Sequence, residues 1–133
     1  MMSFVEDIRK FQSNTECKAS QIARKVGLDL HSRIVGRTPV DTGRLRANNQ
    51  LAIGSKPATS TIGKDKGGEL TIAKGRVAMG GYSLGDDIWI ANNVEYASVI
   101  EFKGHSKQAP AGFFRVSIAD IVNTWPNIVR ITR

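Results

Sequence analysis

Cysteine is almost absent from this chain of 133 residues, with Cys17 the only one. A lone thiol excludes an intrachain disulfide, and with it the small secreted scaffolds that rely on such staples. No run approaches the roughly 18 apolar residues that a bilayer-spanning helix needs. The first ten residues also lack the charged-then-apolar order of a signal peptide. Aromatic residues make up 7% of the chain and do not accompany its basic residues, which argues against a stacking platform for single-stranded nucleic acid.

Catalytic and ligand-binding patterns are missing as well. His31 falls in a helical pattern and His105 in a Gly/Ser/Lys loop, while Cys17 has no CxxC or HxxxH company, so no metal set forms. There is no GxSxG elbow to raise a nucleophile. Gly63-Lys64 and Gly67-Gly68 lack the spacing of a phosphate-cradling loop. Asp86-Asp87 suggests acid–base work or Mg²⁺ binding, but neighbours on a strand point to opposite faces, and a turn before a strand is the better reading. The sequence therefore points away from an enzyme and contains no catalytic, cofactor-binding or metal-binding residues.

What the chain does have is a surplus of positive charge and clear periodicity. It carries 19 Lys and Arg against 12 Asp and Glu, a net charge of +7. Between Arg33 and Arg76 nine basic residues face three acidic ones, so six of the seven charges arise there. Such a surplus fits phosphate neutralisation, a solvated face, or a surface for an acidic protein partner. A chain of this length buries roughly two thirds of its unfolded surface, enough for one domain over residues 1–133.

Phe4, Ile8 and Phe11 share one face of a short amphipathic helix. Ala19, Ile22, Ala23, Val26, Leu30 and Ile34 keep helical spacing in a longer pattern, and Ser13-Asn14-Thr15 between the two is a break or a cap. One bent helix and two helices fit equally. Gly36 suits the left-handed position after the last turn, with Pro39 blocking continuation. Residues 45–53 alternate apolar and polar, predicting a strand with one wet face. Residues 54–68 are rich in Gly, Ser, Thr and Lys, with Ile62 the only large apolar residue, and read as a flexible loop that orders on binding. Residues 70–77 fit a helix, although Leu70 and Ile72 suit a strand equally. Residues 86–92 predict a strand and 96–102 a short helix or bend. Pro110 stands at an expected first helical position, and Phe114, Ile118, Ile121, Val122 and Trp125 mark an amphipathic helix that Pro126 ends or kinks. Together these predict an α+β domain: a twisted, mainly antiparallel sheet flanked by a long N-terminal and a C-terminal helix.

Two stretches carry a resemblance. Thr38-Pro39-Val40-Asp41-Thr42-Gly43-Arg44-Leu45-Arg46 resembles the TPVDTGxLR signature of the head-to-tail joining, or tail-completion, proteins of long-tailed bacteriophages. Ile90-Ala91-Asn92-Asn93-Val94-Glu95-Tyr96-Ala97, then Ile100-Glu101-Phe102 and Ser106-Lys107-Gln108-Ala109-Pro110-Ala111-Gly112, is similar to that family's NNxxYAxxxExG and SxQAPxG blocks. Lys103 stands where the family usually has Gly, and Glu95 where a proline often precedes the Tyr. In the residues themselves, Asp41-Thr42-Gly43 has the types of a tight turn, with Asp41 accepting from backbone N–H groups and Gly43 at positive φ. Tyr96 and Glu101 can bury their stems and keep polar ends for a partner, and a core Tyr96 beside an exposed Glu101 is the alternative.

The resemblance implies a virion structural protein that assembles as a ring, sixfold expected, at the head–tail junction. Its partners would be further copies of itself, the neighbouring neck or tail-tube rings, and genomic DNA passing through the channel, with no membrane and no cofactor. It would reside in the virion after assembly in the host cytoplasm. Pro39, Asp41, Thr42, Gly43 and Leu45 form the motif turn, and Tyr96, Glu101, Lys64, Lys66, Gln108 and Pro110 are the interface candidates. A tail terminator capping the tail tube, and a small basic DNA-binding protein, are the competing readings.

Overall fold

The computed structural model describes residues 4–104 and 106–132, with side chains described for 5–104 and 106–124. His105 therefore lies outside the described residues, as does the side chain of Trp125. The first helix, α1 (Phe4–Arg37), is a single element of 34 residues, about 51 Å long at 1.5 Å per residue. Of the two alternatives left open at Ser13-Asn14-Thr15, the chain adopts the single helix, in which the Thr15 hydroxyl turns back and donates to the Phe11 carbonyl at 2.8 Å. Gly36 is not the left-handed stop, since it lies within α1 and is not at positive φ. The helix ends at Arg37; at the next residue the Thr38 hydroxyl donates to the Ile34 carbonyl at 2.6 Å, and Pro39 has no N–H to offer.

Gly43, at φ 91°, then reverses the chain into the single turn α2 (Arg44–Ala47). This corrects the strand expected over 45–53: only β1 (Gln50–Ile53) is extended. The apolar alternation of Leu45 and Ala47 is real, but Asn48 ends a helical turn there, its side-chain amide donating to the Arg44 carbonyl at 2.8 Å. Residues 54–68 form neither helix nor strand. The chain continues through α3 (Glu69–Met79), β2 (Ile88–Ala91) and α4 (Ala97–Lys103) to α5 (Phe114–Thr132). Pro110 is not the first helical residue but sits in a turn before α5, and α5 runs past Pro126 instead of ending there.

β1 and β2 form an antiparallel two-stranded sheet with Leu51 opposite Ile90 and Ile53 opposite Ile88. In β2, Ile88 and Ile90 turn inward and Trp89 outward, as their alternation predicted. The fold is therefore α+β, with α1 as its spine: α5 packs on it from one side, and α3 packs on both α1 and the sheet. One core cluster joins Ile34, Leu45, Val94, Ala97 and Phe113, and a second joins Leu51, Met79 and Tyr82. Ile90 packs against both. Where α1 crosses α3, the two helices approach so closely that a Cβ on Gly75 would stand 2.5 Å from His31 Nδ1. His31 is buried, and its Nε2–H donates to the Asn49 carbonyl at 2.8 Å, since a carbonyl can only accept.

Candidate functional site

The two motif blocks are distant in sequence and meet in space. Asn49 lies at the junction: its amide donates to the Thr38 hydroxyl at 2.7 Å, and its side-chain oxygen accepts from the Asn92 amide at 3.0 Å. The same Asn92 amide reaches the Leu45 carbonyl at 2.8 Å. Farther along, the Gln108 side chain pairs with the Val40 backbone as a strand neighbour would, accepting from its N–H at 2.9 Å and donating to its carbonyl at 3.1 Å. Arg44 and Glu95 add an ion pair at 2.9 Å. Asn92 and Gln108 of the second block thus satisfy turn backbone of the first, which the turn between α1 and α2 does not do for itself.

Turn and loop are fastened by the same logic. Gly43 is required by conformation and by space, because a Cβ there would lie 2.8 Å from the Lys66 nitrogen. Its carbonyl accepts from the Asp65 N–H at 3.0 Å, and Arg46 donates to the carbonyls of Lys66, Thr38 and Gly36. The Arg46 Nε is buried and has no partner among the described residues. Within the turn the acceptor is Thr42 Oγ1, taking the Arg44 N–H at 3.3 Å, and not the Asp41 carboxylate that the residue types suggested. The 54–68 segment buries little apolar surface, since Ile62 is 88% exposed. Side-chain amides hold it instead: Asn48 pairs with Thr61, Gln50 donates to the Thr59 carbonyl, and Asn93 donates to the Pro57 and Thr59 carbonyls.

Glu101 overturns the expectation of a polar end left for a partner, and Tyr96 and Glu101 exchange the places that the alternative gave them. Tyr96 is 37% exposed, whereas Glu101 is 5% exposed. The Glu101 carboxylate receives the start of α5: Oε2 accepts the N–H groups of Phe113 at 2.6 Å and Phe114 at 2.9 Å. Oε1 accepts the Arg115 N–H at 2.9 Å and its Nε–H at 3.1 Å. The backbone N–H groups at the start of a helix need acceptors, and a negative charge there also meets the positive end of the helix dipole. Burial alone would raise this carboxyl, but the three backbone N–H groups and the Arg115 guanidinium outweigh it and hold the group below the usual glutamate range. Asp65 plays the same part for α3. Burial pushes its carboxyl up, the Thr71 hydroxyl and N–H with the Gly68 N–H bring it down, and the net shift is downward.

Between the fastened blocks an open cleft of about 360 Å³ remains. Pro39, Val40 and Leu45 line it from the first block, Tyr96 and Ile100 from the second. Asp41, Thr42, Tyr96 and Gln108 stand exposed at its lip, which gives it an apolar floor with hydroxyl, amide and carboxylate groups at the rim. Lys64, Lys66 and Pro110 are exposed outside this cleft. Among the described residues no three of His, Cys, Asp and Glu are grouped to hold a metal ion.

The basic surplus divides in two. Arg33 pairs with Asp29 and Asp120, Arg37 with Asp120 and Arg44 with Glu95, while Arg46 is committed to backbone carbonyls. Lys56, Lys64, Lys66, Lys74 and Arg76 are exposed and form no ion pair among the described residues. Sequence reasoning missed Asn48, Asn49 and Asp65 as fasteners, and the only available signal was that Asn and Asp favour element boundaries. Compared with family profiles, curated proteins and solved structures, the chain matches none.

Proposed function

We propose that this chain is a structural subunit of a tailed bacteriophage, forming a ring at the head–tail junction that joins head to tail and leaves a channel for genomic DNA. The observation that carries the reading is the interlock of the two signature blocks, which spends most of their polar residues inside the chain and leaves Asp41, Thr42 and Tyr96 at the lip of one cleft. A signature that builds a rigid recognition edge, with no reacting groups, suits assembly and not turnover. The subunit's partners are further copies of itself and the adjoining neck or tail-tube rings, and its work is done once when the joint forms. The exposed cations Lys64 and Lys66 face those neighbours.

Electron microscopy of particles labelled with an antibody against this chain tests the reading. Label at the junction of head and tail is expected. Label on the top of headless tails would point to a terminator, and absence of label from particles would overturn the proposal. Reversing Lys64 and Lys66 to Glu should lower the yield of joined particles and leave subunit stability unchanged, because exposed charges contribute little to it. Tight, sequence-independent binding of the free subunit to duplex DNA, lost steeply with salt, would favour the DNA-binding reading instead.

A further inference from the structure

Residues 5–18 of α1, about 21 Å of helix, are all exposed and line none of the core clusters formed by the described residues. A helix of that length without tertiary contact is marginal in water. Its apolar residues are not scattered: Val5 and Ile8 fall within about 40° of Leu30 around the helix, on the stripe that Ala23, Val26 and Ile34 also occupy. Phe11, 74% exposed, flanks that stripe. In the body, β2 and α5 lie along this stripe, and between the three elements runs an open groove of about 460 Å³. Ala23, Val26, Leu30, Ile88, Phe114 and Ile118 line it, and no charged residue does. Ile118 is 47% exposed at its edge and Val122, one turn on, 66%.

We propose that the exposed N-terminal arm of α1, residues 5–18, lays its Val5–Ile8–Phe11 face into this groove on a second copy of the chain, each subunit donating one arm and receiving one. Three features select that occupant. The arm displays the same apolar stripe that this chain already covers with β2 and α5, so the surface matched to it exists on every copy. The arm carries Glu6, Asp7 and Glu16 against Arg9, Lys10 and Lys18, and is neutral on a chain of +7, which suits an uncharged groove and neither nucleic acid nor an anionic membrane. One face of such an arm offers on the order of 300–400 Å², well below the roughly 800 Å² per partner of a stable pair. A head-to-tail arrangement engages every subunit twice and closes as a ring. Single contacts are then weak in solution and add up only in the closed assembly. The choice of head-to-tail donation over reciprocal exchange rests on the ring reading above.

The test places a cysteine on each side of the contact. In a Cys17→Ser background, Ile8→Cys and Ile118→Cys are introduced together, both at exposed positions, and the protein is oxidised at increasing concentration. A ladder of dimers, trimers and higher species on a non-reducing gel is expected, its fraction rising with concentration. Either single variant should give no ladder, and a mixture of the two single variants only dimers. Monomers alone, or dimers alone, from the double variant would overturn the inference, as would pairing of Ile8→Cys with itself. The antibody labelling separates the two claims: junction label without a ladder refutes the arm contact and leaves the ring, whereas a ladder without label in particles refutes the junction role.

Discussion

Replacing Glu101 by Gln removes one charge and almost no volume, and the hydrogen bonds around it set the cost. Each carboxylate oxygen accepts two N–H groups, Oε2 those of Phe113 and Phe114, Oε1 the backbone and side-chain N–H of Arg115. A Gln amide can keep only one of these pairs, because its NH₂ end meets donors with donors. The better orientation keeps the buried Phe113 side and sacrifices Arg115, whose half-exposed guanidinium regains water but whose backbone N–H does not. One unanswered donor, plus the loss of charge from the remaining bonds at a helix start, amounts to about 2–3 kcal/mol. For a domain of this size that lowers Tm by roughly 10 °C at neutral pH. The Glu101 carboxyl is held below its unfolded value, so its contribution is complete above about pH 4.3 and is lost as the pH falls through the folded value. Thermal melts of wild type and E101Q should therefore differ most at neutral pH and converge in acid. A Tm loss under about 3 °C at pH 7, or a gap that stays constant down to pH 3, would refute the capping argument.

Gly43→Val meets both a positive φ and a backbone nitrogen 2.8 Å from its Cβ, so a loss of at least about 2–3 kcal/mol is expected, and an unchanged melting temperature would contradict the turn. Burial lowers the His31 pKa and outweighs the pull of the Asn49 carbonyl, so the unfolded chain takes up this proton more readily than the folded one as the pH falls below about 6.5. Stability should then decline from pH 6.5 towards 5 in urea titrations, and His31→Gln should flatten that slope; an equal slope in the variant would show the imidazole to be uninvolved. In limited proteolysis with trypsin, Lys56 is protected by the following Pro57, and Lys66 has its carbonyl bound by Arg46. The first cut outside the exposed arm should fall after Lys64, and resistance there would mean that the amide clamps on 54–68 extend over the whole segment.

The amino-acid order by itself determined the parts whose pattern repeats within one element. Phe114, Ile118 and Ile121 announce α5, and the alternation of Ile88, Trp89 and Ile90 announces β2, because burial on one face imposes a period that local residues alone must keep. Gly43 was legible for a similar reason, since a positive φ is a property of the residue and its two torsions. The fasteners were not legible. Nothing near Glu101 in the chain marks it as the acceptor for residues 113–115, and its type suited an exposed contact equally well. Only the return of the chain through Gly112, whose absent Cβ would stand 2.6 Å from Glu101 Oε2, brings those N–H groups to it. Likewise Leu45 and Ala47 alternate as a strand would, and Asn48, fixed by Thr61 from across the loop, decides for a helical turn. Periodicity is local and survives in one dimension; which donor meets which acceptor depends on where distant backbone ends up, and that is decided only when the core has closed.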